Sequence, residues 1–150
     1  MSDPRAVIGT DSAAIEAFLE EEGHRFSRIA DGCWRGRFRT PARIFPFVIH
    51  ATETVLRAAV VPYMASPSDD TLAAELYDRL LQLNQVLFMA KFSIDDDLDV
   101  VLSVTHPVAD LQASELRDGL AALLYYADHH HQELHRIVDV VPIEVETPAD

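Results

Sequence analysis

Four histidines crowd one short stretch: His129, His130, His131 and His135. His131 and His135 stand four apart, so on a helix they share a face. Asp128 lies three before His131, and such a set can hold a divalent metal. Zinc proteases also need a glutamate directly after the first histidine as general base. Here Gln132 follows His131, and His131 falls on an apolar stripe. The cluster therefore reads as packing and as helix-end cations that favour the helix dipole, and no metal ligand is assigned. The rival reading is a small metal-dependent enzyme built on His129–His135.

Asp95, Asp97 and Asp99 alternate like the start of a calcium loop. Such a loop needs glycine at its sixth position and a bidentate glutamate at its twelfth. Val100 and His106 hold those places, so the stretch reads as a solvated hairpin tip whose acids bond local backbone. There is no Gly-rich phosphate loop, no Gly-x-Ser-x-Gly and no paired-cysteine motif. Cys33 stands alone, which excludes an internal disulfide and reads as a small buried apolar residue. With no catalytic set and no cofactor motif, the chain reads as non-enzymatic.

Charge narrows the partners. The chain of 150 residues carries a net −13. Residues 1–90 hold 9 Lys and Arg against 12 Asp and Glu, and residues 91–150 hold 3 against 13. Nucleic-acid binding depends on cations that neutralise phosphates, so an acidic chain fits it poorly. The local exception is Arg25, Arg28, Arg35, Arg37, Arg39 and Arg43, with only Asp31 among them. Arg35, Arg37 and Arg39 alternate, so on a strand they share one face. They are read either as a solvated face that protects a sheet edge, or as a docking strip for an acidic peptide or the chain's own acidic tail.

The elements that position these residues follow from periodicity. Residues 1–10 lack a period and read as a flexible terminus. A helix starts at Asp11 or Ser12 and stops at Gly23. Phe26 to Ile29 and Cys33 to Arg39 form a hairpin about Asp31-Gly32. Strands follow over Ile44 to Ile49 and Thr54 to Val61; Pro46 implies an edge or bulge, and Pro62 ends the run. Ser66-Pro67-Ser68-Asp69 opens a second helix. That helix carries Leu72, Leu76, Leu80, Leu83 and Leu87 on one stripe and Tyr77, Leu81 and Phe88 on another, with Asn84 between Leu81 and Phe88. A surface helix normally shows one stripe, so the second is covered by another element or by a second copy. Lys91 to Ile94 and Val100 to Val104 pair across the acidic turn. The last helix starts between Asp110 and Ser114 and carries Leu116, Leu120, Leu123, Leu124, Ala127, His131, Leu134 and Val138. One domain spans 11–138, and 139–150 is an acidic tail.

Leu80-Leu81-Gln82-Leu83-Asn84, then Ala90 to Asp95, the acidic turn, Val100-Val101-Leu102, Leu111 and the helix with Leu116, Leu120 and Ala127-Asp128 resemble the YbjN-like proteins. These are similar in fold to the chaperones of bacterial type III secretion. The likeness covers about residues 66–138. It departs at the hairpin tip, where Leu98 replaces an expected glycine and leaves the turn type open. The resemblance implies an α+β fold, a twisted antiparallel sheet in the order α-β-β-β-β-α-β-β-α. It also implies a homodimer that binds a protein or peptide client without a cofactor, and it transfers no catalytic residue.

A dimer interface at Tyr77, Leu81 and Phe88 is expected, with client contacts from Trp34, Phe38, Phe45, Phe47, Arg35, Arg37 and Arg39. A regulatory adaptor for a folded partner is the related alternative. No apolar run approaches the ~20 residues of a membrane span, and the first residues lack the form of a secretory signal. A cytoplasmic location is the default.

Overall fold

A computed structural model describes residues 3–139. The elements run α1 (Ser12–Glu21), β1 (Arg25–Ala30), β2 (Cys33–Arg39), β3 (Ile44–Ala51), β4 (Val55–Ala65), α2 (Asp70–Asn84), β5 (Ala90–Ile94), β6 (Asp99–Pro107) and α3 (Ala113–Val138). The strands form one antiparallel sheet in the order β1-β2-β3-β4-β6-β5. The architecture is α+β, in the element order the sequence implied. Of the acidic tail, residues 140–150 lie outside the described residues.

The register explains the core. Phe26, Gly36, Phe47, Val60, Leu102 and Phe92 form one cross-strand row. Ser27, Arg35, Val48, Ala59, Ser103 and Lys91 form the next, and neighbouring residues on a strand point to opposite faces. The first row joins Trp34, Phe38, Ile49 and Ala58 against the helices, all but Phe26 and Gly36 being buried. Glu16 of α1 accepts hydrogen bonds there from Trp34 Nε1 at 2.9 Å and Arg28 Nε at 2.8 Å. Tyr63 donates its hydroxyl to Ala127 O of α3 at 2.7 Å, and burial pushes its phenol pKa far up.

Local chemistry sets the helix ends. Asp11 caps α1 through Ala13 N, and Gly23 follows with φ +78. Ser66 is not the cap of α2. Asp69 is, accepting from Leu72 N at 2.9 Å, because Asp caps as well as Ser and sits where the periodic leucines begin. Gln112 makes no side-chain cap to α3. Its free amides are met instead by the N-terminal segment: Ala113 N donates to Ala6 O, and Ser114 N to Pro4 O. Val7 also bridges to Gln112, and Ile8 is buried. Pro4 to Ile8 are therefore anchored rather than loose, since orphan helix N–H groups need acceptors.

Two prolines behave differently from each other. Pro62 does not end β4, which runs on to Ala65. It falls inside a bulge between Val60 and Met64, where no ladder donor is required. The β3–β4 pairing starts at Phe47, just beyond Pro46. At Gly119 α3 presses on the sheet, and a Cβ there would meet His106 Nε2 at 2.2 Å.

Candidate functional site

The four clustered histidines point to different neighbours. His131 stacks on His135 with ring centroids 3.9 Å apart, and His135 Nδ1 meets His131 O at 3.0 Å. His129 stacks on Tyr125. His130 packs on Tyr126 and Phe92, and is more buried than His131, so it takes the core position on the stripe. Its Nδ1 lies 3.7 Å from Glu133 Oε2, beyond hydrogen-bond length. Burial lowers the pKa of both His130 and His131. Among the described residues no group of three His, Cys, Asp or Glu side chains could hold a metal. In the acidic turn, Asp95 Oδ1 accepts from Asp97 N at 3.0 Å and Asp99 N at 2.9 Å. That carboxylate serves the backbone of its own hairpin.

Four residues expected to touch a client are core residues. Trp34 and Phe38 are fully buried, Phe47 is 1% exposed and Phe45 4%. Their face of the sheet is the one the helices cover, and Phe38 stacks on Phe47 at 4.0 Å. A docked segment cannot reach them. Trp34→Ala would remove a core side chain at a cost of about 3–5 kcal/mol, so lost capture by that variant would report unfolding. The alternation in β2 was legible, but not which face α1 covers.

Arg35, Arg37 and Arg39 are exposed on the opposite face. Arg25, paired with Arg37, joins them. Beside them lies a cavity of about 480 Å³ lined by Arg35, Arg37, Pro46, Val48, Val61 and Pro62 among others.

The second stripe divides. Tyr77 and Leu81 line an apolar groove of about 270 Å³ with Leu80, Asn84, Phe92 and Ile94. Leu81 is 69% exposed. Phe88 is not part of that groove. It lies beyond the end of α2, exposed, with its backbone N donating to Tyr126 Oη at 3.0 Å. Helical spacing carried through Phe88 placed it on the stripe, but the helix stops at Asn84. Asn84 itself is bound to the outer strand β5, through both backbone groups of Phe92. Sequence reading missed this role, because a lone polar residue in an apolar stripe gives no sign of it. Among the described residues the other outer strand, β1, has no such cover: five of its six residues are exposed, Ile29 among them.

No helix among the described residues is long and apolar enough to cross a membrane. A comparison with curated proteins returns no match. The YbjN family model, described as "Putative bacterial sensory transduction regulator", matches residues 11–136, and the chain belongs to that family. Among solved structures, the chain is similar to a chain of the ExoU–SpcU heterodimer of the type III secretion system of Pseudomonas aeruginosa. The TM-score is 0.58 at 22% identity, over 85% of this chain and 99% of that one. It is also similar to a chain in the complex of the Yersinia pestis type III secretion chaperone SycH with a fragment of YscM2. There the TM-score is 0.52 at 19% identity, over 79% and 97%. A chain of the ExsC–ExsE complex gives 0.57 at 14%, over 79% and 88%. At these identities the likeness is one of fold.

Proposed function

We propose that this YbjN-family chain is a non-enzymatic binding module that holds an extended segment of a protein client, as a chaperone-like homodimer in the cytoplasm. The observation that carries the reading is the open β1 edge. A sheet edge offers unpaired N–H and C=O groups to an incoming strand. Here one edge is occupied at its centre by Asn84, and the other has no partner strand among the described residues. The fold neighbours support it, being chains from complexes with a second protein. Among the described residues the histidine cluster brings no three His, Cys, Asp or Glu side chains together, so it lends the metal-dependent rival no support.

The family description favours a second reading, a regulatory adaptor for a folded partner. One experiment separates them. The full chain is used to recover its partner from the native host. Hydrogen exchange is then measured on the purified complex. Protection of residues 25–30 supports strand addition at β1. Protection confined to the helices supports the adaptor, and catalytic turnover of a small molecule without any protein partner would sink both.

A further inference from the structure

Acidic and basic side chains are sorted by layer. The six strands carry seven cations, Arg25, Arg28, Arg35, Arg37, Arg39, Arg57 and Lys91, and a single carboxylate, Asp99. This is a chain of net −13. All but Arg28 occupy register positions on the outer face, away from the helices. The paired arginines lie elsewhere: Arg28 with Glu16, Arg43 with Asp128, Arg79 with Glu133 and Arg117 with Glu22. Among the described residues none of the six outer-face cations has an ion-pair partner.

We infer that this outer face docks an extended, acidic segment of the protein client. The inference rests on the client-binding reading above and names the kind of segment selected. Outward side chains on a strand repeat every ~6.6–6.8 Å. An extended segment with an acid at every second position repeats at the same distance, so its carboxylates match Arg35, Arg37 and Arg39 one for one. The guanidinium fork binds carboxylates bidentately. Pro46, Val48, Val61 and Pro62 line the cavity beside Arg35 and Arg37, giving intervening apolar side chains a seat. Nucleic acid fits less well, because a phosphate backbone would meet the field of a chain of net −13.

The test uses the full chain and a fluorescein-labelled peptide of alternating glutamate and valine, read by anisotropy. Saturable binding is expected, weakening as salt rises from about 0.05 to about 0.5 M through screening. Arg35→Ser/Arg37→Ser/Arg39→Ser should lower affinity about tenfold, the sum of three exposed pairs. Arg136→Ser, at the far end of α3, should change nothing. Unchanged binding by the triple variant overturns the inference. So does equal binding of a lysine–valine peptide, or tighter binding of single-stranded oligo(dT). Binding seen only in Glu144→Gln/Glu146→Gln would make the chain's own tail the occupant, and also overturns it. If a native client protects β1 yet binds the triple variant normally at all salts, the outer-face inference fails while the client-binding reading stands.

Discussion

Asn84 holds both backbone groups of Phe92. Its Nδ2 donates to Phe92 O at 2.9 Å, and its Oδ1 accepts from Phe92 N at 2.6 Å. A side-chain amide thus stands where the peptide group of a seventh strand would stand, so α2 closes the β5 edge at its midpoint. Proteins commonly cover or charge such edges to prevent edge-to-edge pairing.

Asn84→Ala should therefore do two things. Losing two part-buried hydrogen bonds costs about 1–2 kcal/mol, read as a lower urea midpoint with unchanged slope. The freed edge should also promote concentration-dependent association in light scattering. A variant that loses stability without associating would show that other features guard the edge.

Leu98 adopts φ +63 in the hairpin tip. Leu98 N donates to Asp95 O, and Asp95 N to Asp99 O. The left-handed region costs an L-residue roughly 1–2 kcal/mol, which glycine avoids at some cost in unfolded-state entropy. Leu98→Gly should raise stability by about 1 kcal/mol. Lower stability would mean that the exposed leucine packs against something outside the described residues.

The order of elements was legible because each apolar run keeps one period, 2 in the strands and near 3.6 in the helices. The outward face of Arg35, Arg37 and Arg39 was legible for the same reason. Three features were not. The anchoring of Pro4 to Ile8 uses backbone carbonyls, which no side-chain pattern marks. The burial of Trp34 and Phe38 depends on where α1 lies, a long-range choice in which Ile15, Phe18 and Leu19 enter the core and Glu16 reaches β1 and β2. Phe88 kept helical spacing past the last turn of α2, so a periodic reading could not see the break.

Stability should fall in acid in two stages. Burial lowers the pKa of His24, His106, His130 and His131 below 6.5. The unfolded chain then binds more protons than the folded one, so stability is full above pH 6.5 and declines as pH drops below it. The loss levels off once the folded-state values are passed. Glu16 is held below 4.5 by the Trp34 indole N–H and then by Arg28, and Glu133 by Arg79. Their contribution is present above pH 4.5 and is lost below it. Urea midpoints between pH 7.5 and about 2.5 should show both stages. His106 Nε2 is buried without a hydrogen-bond partner, so His106→Leu should flatten the first stage; an unchanged slope would rule His106 out as a contributor.

Leu81 provides the sharpest test of self-association. It is 69% exposed beside an apolar groove with Tyr77 and Ile94. In an isolated subunit, Leu81→Asp replaces one solvated side chain by another and should shift stability by no more than about 0.5 kcal/mol. In a dimer that buries the groove, the same change places a charge in an apolar contact and leaves it unpaired, at a cost of several kcal/mol. The wild-type chain should scatter light as a dimer at micromolar concentration. Leu81→Asp should scatter as a folded monomer with an unchanged circular dichroism spectrum. Phe88→Ser, outside the groove, should leave the dimer intact. A wild-type monomer would remove the homodimer, and dissociation by Phe88→Ser alone would move the interface to the α3 side of the molecule.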